Sequence, residues 1–188
     1  MSYHIYQTEG IILSKKDIGE ADRLFSILTK DFGRIDALAQ GVRYLKSKLR
    51  YNLDAFSCSR FCLVATKEFW RIVDAEELIY WKNIRENSLK IKALAQIVGL
   101  LNRMVRGQEP DFDLWNEIRK SLCFLGSPQF PEERKMRAFT LLANLRVLSC
   151  LGYVKESKKW LELPLEKAVG LEPIMESTID KALEESQL

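Results

Sequence analysis

The chain has one histidine, His4, near the start of its 188 residues. A Ser-His or Cys-His nucleophile pair would have to be built on it, so covalent hydrolytic chemistry is not expected. No glycine-rich stretch ends in Gly-Lys-Ser or Gly-Lys-Thr, which leaves no P-loop. The cysteines Cys58, Cys62, Cys123 and Cys150 contain no Cys-x-x-Cys pair. Cys58 and Cys62 are too far apart along one strand to share a zinc, and Cys123 and Cys150 fall within helical stripes. Reduced, mostly buried thiols are therefore expected, with no metal and no other cofactor. No apolar run approaches the roughly 18 residues that a membrane-crossing helix needs, and no signal-peptide pattern opens the chain. A cytoplasmic, non-enzymatic protein is the expectation.

The charge that is present is unevenly distributed. The formal net charge of +3 is close to neutral. Between Trp81 and Gly107, however, Lys82, Arg85, Lys90, Lys92, Arg103 and Arg106 face only Glu86. Beyond Lys155 the sign reverses, with Glu156, Glu162, Glu166, Glu172, Glu176, Asp180, Glu184 and Glu185 against a few lysines. A basic body with an acidic tail suits an anionic partner engaged by the first part, although solvated helix faces produce similar counts.

From His4 to about Val73 the pattern is that of short strands. Thr8–Leu13 reads as a strand, and residues 17–24 as a tight connection into the next. A hairpin is expected between strands around Leu24–Leu28 and Arg34–Gln40, across the turn Lys30-Asp31-Phe32-Gly33. Phe56–Thr66 and Phe69–Asp74 supply two more strands. Five short strands make a small barrel, of which the OB-fold is the common example, with another small barrel or a half-sandwich as alternatives. After Asp74 the period becomes helical. Ile91, Leu94, Ala95, Val98, Leu101 and Val105 form one stripe, ended by Gly107 and Pro110. Leu114, Trp115, Ile118, Leu122 and Leu125 form a second, capped by Asp111 or Asp113. Pro131 suits the first turn of a third helix, which buries Ala138, Leu141, Leu142, Leu145 and Leu148 and stops at Gly152. Two short helices are expected in the polar tail after Ser157, where Trp160 either faces a partner or packs on the bundle. The fold class is α+β: a five-stranded barrel domain over residues 1–77, then an all-α bundle domain over residues 78–188 with an acidic tail.

The candidate site is the stretch Gly41–Tyr51, where Arg43, Lys46, Lys48 and Arg50 are interleaved with Tyr44 and Tyr51 and no acid intervenes. Cations hold phosphates and aromatic faces stack on bases, so a loop of this kind on a small barrel points to DNA or RNA. A solubilising loop has the same residue types. Lys15 and Lys16, at the far end of the first strand, can extend the surface. Asp17, Glu20 and Asp22 gather near the first turn; pairing of Asp22 or Glu20 with Arg23 explains them more simply than a metal site.

Three stretches give the chain a family resemblance. They are Thr8–Leu13 continuing through Asp17-Ile18-Gly19-Glu20-Ala21-Asp22-Arg23-Leu24 to Thr29 and Gly33; Ala39-Gln40-Gly41-Val42-Arg43 with Lys46-Ser47-Lys48-Leu49-Arg50, Leu53 and Phe56; and Arg137-Ala138-Phe139 leading to Leu151-Gly152-Tyr153. In these the chain resembles the bacterial recombination mediator family RecO. The resemblance implies an N-terminal OB-fold that binds single- and double-stranded DNA and promotes strand annealing. It implies a helical domain that grips the acidic C-terminal tail of the single-stranded-DNA-binding protein SSB. It implies, with RecR, help in loading the recombinase RecA on SSB-coated DNA, on the nucleoid. Carried over by position, Arg34, Arg43, Lys46, Lys48 and Arg50 match DNA-contacting cations of the family. Arg137 matches the cation that meets the SSB tail, assisted by Arg134. Two departures stand out. Val154–Leu161 contains no cysteine where many relatives carry a zinc-ribbon-like insert, and the tail is acidic where relatives continue with further helices and a basic end. DNA contacts made there by relatives, and their RecR surface, are not carried over. An interaction adaptor that docks the SSB tail with little DNA binding of its own is the alternative expectation.

Overall fold

A computed structural model describes residues 4–78, 82–128 and 132–186. These cluster into two compact units. One comprises residues 1–80 together with 105–112, the other residues 81–104 and 113–188.

The first unit is a barrel of β1 (Ile5–Ile18), β2 (Asp22–Thr29), β3 (Gly33–Ala39), β4 (Cys58–Ala65) and β5 (Trp70–Glu77), closed in the order β1-β2-β3-β5-β4. Alternation along each strand explains the closure, because side chains of period two line one face. Phe25 and Ile27 from β2, Ile35, Ala37 and Ala39 from β3, Phe61 and Leu63 from β4, and Ile72 and Ala75 from β5 fill the interior. β1 serves two neighbours. Residues Ile5–Ile11 pair with β4 and Gly10–Ile18 with β2, and the register shifts between Ile12 and Ser14. Such a bulge bends a strand and strengthens its twist, as a barrel requires. At the crossing, a Cβ on Gly10 would stand 2.8 Å from Ile27 Cγ2 and 3.0 Å from the Leu28 carbonyl, so only glycine fits. β3 and β5 pair in parallel, through Ala37–Trp70 and Leu38–Arg71. This is the five-stranded OB topology expected from the strand pattern.

Beside β3 runs segment 105–112. The Arg34 backbone N–H donates to the Gly107 carbonyl at 3.0 Å, and Arg34 Nη1 donates to the Val105 carbonyl at 2.9 Å. Trp70 Nε1 donates to Gln108 Oε1 at 3.4 Å. At this end of the barrel Tyr6, Phe32 and Trp70 pack on the core and on one another, with Phe32 and Trp70 ring centroids 4.9 Å apart.

The second unit contains α1 (Lys82–Arg85), α2 (Ser88–Met104), α3 (Phe112–Gly126, whose first residue clusters with the barrel), α4 (Glu133–Cys150), α5 (Ser157–Glu162), α6 (Leu165–Ala168) and α7 (Glu172–Glu185). Helix α4 is its centre. It packs against α2, α5, α6 and α7, and buries Met136, Ala138, Phe139, Leu142, Ala143, Leu145, Val147 and Leu148. Asn87 Oδ1 caps α2 by accepting from the N–H groups of Leu89 and Lys90. The Lys90 ammonium is buried and donates to the Ser127 carbonyl at 2.6 Å, at the end of α3; burial pushes its pKa down. Phe124 and Phe139 stack with centroids 4.2 Å apart.

Several sequence expectations need correction. The tail forms three helices rather than two short ones, and the last spans fourteen residues. Of the two alternatives for Trp160, packing is the one found, with the side chain 2 % exposed. Cys123 is exposed and Cys150 half-buried, because each lies at the edge of its apolar stripe. Pro131 and Trp81 lie outside the described residues. Among the described residues no helix is long and apolar enough to cross a membrane, and no group of three or more His, Cys, Asp or Glu could hold a metal ion.

Candidate nucleic-acid interface and helical groove

The basic stretch connects β3 to β4 and is fixed from beneath. Val42 and Leu53 are each 2 % exposed in the barrel core, and Leu49, in a 3-10 turn over Lys48–Tyr51, packs against that core. The entry to the loop is stitched to the β1–β2 turn. The Gly41 N–H donates to Asp22 Oδ1 at 2.8 Å, and the Arg43 N–H donates to the Ala21 carbonyl at 3.0 Å. At the exit, Asn52 Nδ2 donates to the Ala75 carbonyl at 2.7 Å. With three apolar anchors turned inward, the intervening side chains have one direction left. Lys46, Lys48 and Arg50 are exposed, as are Tyr44, Leu45 and Tyr51, the last two at 83 % and 76 %. None of the three cations has an ion-pair partner among the described residues. Such a surface can meet phosphates and offer two flat rings to bases.

The structure sorts the other sequence-predicted cations differently. Arg43 is a tether: Nη1 donates to the Gly19 carbonyl at 3.0 Å, and Nε stands 3.5 Å from Asp17 Oδ2. The partner of Arg23 is Asp17 at 2.6 Å, not Asp22 or Glu20; Asp22 is occupied by the Gly41 N–H. The Arg23 hydrogen bond, reinforced by the charges of Arg23, Arg43 and Lys15, holds the Asp17 carboxyl below the usual carboxylate range. Lys15 and Lys16 are exposed on β1, opposite Phe25 and Leu24 of β2. Arg34 is not brought to this surface. It is the second residue of β3, whereas the loop leaves the other end of that strand, roughly 17 Å away at strand rise. There its guanidinium is half-buried, donating to Ser26 Oγ at 3.0 Å and to Val105, and burial and nearby Arg106 lower its pKa.

In the helical unit, Arg134 and Arg137 sit on the rim of a groove of about 780 Å³ between α2 and α4. Leu89 and Ala93 of α2 and Met136 and Leu141 of α4 supply apolar lining, and Lys92 adds a third cation. Both arginines face acids of α7. Arg137 Nη2 donates to Glu176 Oε1 at 2.7 Å, and Arg134 Nε lies 3.8 Å from Glu172 Oε1. The Glu176 carboxylate raises the Arg137 pKa. Sequence reasoning missed Lys92, Met136 and Glu176 as site residues. Lys92 and Ala93 sit on α2 and Met136 and Arg137 on α4, so only packing of these helices assembles the groove.

Residues 1–80 match the model of a protein family described as "Recombination protein O N terminal". Over these residues the chain is similar to the RecO family. Among curated RecO relatives, all called "DNA repair protein RecO", that of Rubrobacter xylanophilus is 31 % identical over 118 residues, 63 % of this chain and 47 % of the relative. That of Thermodesulfovibrio yellowstonii is 26 % identical over 154 residues, 81 % of this chain and 60 % of the relative. That of Dehalococcoides mccartyi (strain CBDB1) reaches 39 % over 92 residues, covering 49 % and 36 %. The chain spans about half the length of the RecO relatives it matches. The residues that match the RecO family model contain the whole basic loop and none of the helical groove.

Proposed function

We propose that the chain is a non-enzymatic DNA-repair factor that binds single- and double-stranded DNA through the β3–β4 loop and captures the acidic tail of SSB in the α2–α4 groove. Holding two phosphate backbones on one barrel brings complementary strands together for annealing. Tail capture delivers the protein to SSB-coated strands, where, with RecR, it assists loading of RecA. The observation that carries the DNA-binding half is the loop itself: Val42, Leu49 and Leu53 face the core, so Lys46, Lys48 and Arg50 project beside exposed Tyr44 and Tyr51. Lys15 and Lys16 extend the charged surface along β1. Arg43 contributes by fixing the loop to the β1–β2 turn. Arg34 contributes by holding segment 105–112. The names of the family relatives and the charge of the groove rim support the rest of the reading.

Because phosphate contacts release counterions, the salt dependence of affinity counts them. Four or five contacts predict a log-affinity against log-salt slope of about −3 to −3.5 on single-stranded DNA. The triple variant Lys46→Ala, Lys48→Ala, Arg50→Ala is expected to flatten that slope by about 2, with unchanged thermal unfolding because all three side chains are exposed. Fluorescence anisotropy of a labelled oligonucleotide from low to moderate salt measures both. A wild-type slope near zero would leave an adaptor that docks an acidic tail without DNA. An unchanged slope in the triple variant would move the interface away from the loop.

A further inference from the structure

The α2–α4 groove already receives a carboxylate, and it is the chain's own. Glu176 accepts a hydrogen bond from Arg137 at 2.7 Å and forms part of the groove lining. Its delivery is built into the fold. Helix α7 packs on α4 and buries Met175, Ile179 and Ala182, a spacing of one turn and then nearly another, which leaves Glu176 beside Arg137. Glu172, one turn earlier, is fixed differently. One of its oxygens accepts from the Gly170 N–H at 2.7 Å, and the other reaches Arg134 only at 3.8 Å. Arg134 and Lys92 therefore remain as cations on the rim, while Arg137 is directly hydrogen-bonded.

We propose that Glu176 is an internal competitor for the acidic peptide that the groove takes, so that a peptide engages Arg137 only by displacing it. This inference rests on the reading of the groove as a peptide site. The groove's own occupant indicates the chemistry of its ligand: carboxylates for the rim, an apolar side chain for the floor of Leu89, Ala93, Met136 and Leu141. The competitor is weak by design of its surroundings. The Arg137 and Glu176 side chains are 65 % and 41 % exposed, and a pair so open to solvent favours contact by no more than about fivefold. A peptide with several neighbouring carboxylates gains Arg134 and Lys92 as well and displaces Glu176 readily. A peptide with one carboxylate merely exchanges one contact for an equal one. Glu176 thus sets a threshold of charge below which ligands are refused.

The test uses the full chain and a fluorescent synthetic peptide of four aspartates followed by phenylalanine, read by anisotropy. Glu176→Gln is expected to tighten binding by about two- to fivefold. Glu176→Ala serves as a second variant and should tighten it similarly, while Arg137→Ala should weaken it. In the Arg137→Ala background, Glu176→Gln should give no gain, since the two effects share one contact. If Arg137→Ala leaves the affinity unchanged, the groove is not the peptide site and the reading beneath the inference fails. If Arg137→Ala weakens binding but neither Glu176 variant tightens it, the groove stands and the competitor does not.

Discussion

Replacing Gly33 with alanine is expected to be among the most damaging single-atom-scale changes available to the barrel. Gly33 has φ +63°, a conformation that costs an L side chain roughly 1–2 kcal/mol. Its added Cβ would also stand 2.5 Å from the Glu109 carbonyl oxygen and 2.6 Å from the Glu109 nitrogen. These are backbone atoms, so no rotamer change relieves the contact. Either the β2–β3 turn or segment 105–112 must move. The turn resists, because Thr29 Oγ1 donates to the Gly33 carbonyl at 2.8 Å and accepts from the Phe32 N–H. The segment yields instead, giving up its bonds from Arg34 and uncovering the Trp70 edge. Together the strained φ and the overpacking predict a loss of about 2–5 kcal/mol. For a unit of this size that lowers the unfolding midpoint by roughly 10 °C or more. Differential scanning calorimetry reads it; a midpoint within a degree or two of the parent would mean the segment is not held against the turn.

Arg146→Ala is the corresponding expectation for the helical unit. Its guanidinium donates to the carbonyls of Leu163 at 2.8 Å and Trp160 at 3.2 Å, and lies 3.7 Å from Glu117 Oε2. One side chain of α4 thereby holds both the end of α5 and an acid of α3. Removal leaves Glu117, 11 % exposed, with Lys120 on one oxygen and nothing hydrogen-bonded to the other. Breaking a buried pair costs about 3–5 kcal/mol, and the partial exposure of Arg146 places this case at or below the lower end, about 2–3 kcal/mol. Chemical denaturation should show it as a lower midpoint, and limited proteolysis should cut first between α5 and α6, where the lost bonds were. The double variant Arg146→Met, Glu117→Gln is expected to recover part of the loss, since no buried charge is then left alone. Equal stability of parent and Arg146→Ala would show that the α5 carbonyls are served by water.

How much of this could be read beforehand depends on whether the governing contact was local. The Asp22–Ala39 hairpin is legible because Phe25, Ile27, Ile35, Ala37 and Ala39 alternate and Gly33 marks the turn. The basic loop is legible from composition instead, since Arg43, Lys46, Lys48 and Arg50 fall together with Tyr44 and Tyr51 and no acid intervenes. Arg34 is not. Its carbonyl partner at Val105 is 71 positions away, and nothing in the residues around either end announces it. Gly107 and Pro110 read as the end of a helix, which closes just before them at Met104, but they give no hint that the chain between α2 and α3 returns to the barrel. In the tail, Pro164, Gly170 and Pro173 draw attention to interruptions, while Met175, Ile179 and Ala182 carry a helical stripe that was there to be seen. The α2–α4 groove is beyond any one-dimensional reading, because two helices distant in sequence each supply part of its charge and part of its floor.

The return of segment 105–112 to the barrel also has a temporal side. A ribosome releases β5 well before it releases Val105, and at about 5–20 residues per second the interval is on the order of seconds. Throughout it, the nascent barrel has all its strands yet lacks the strip that meets Arg34 and Trp70, and helix α2 must emerge before that strip can arrive. Maturation of the barrel is thus clocked by synthesis of the helices that follow it, and a chain stalled after residue 80 would present the whole basic loop on an unfinished scaffold.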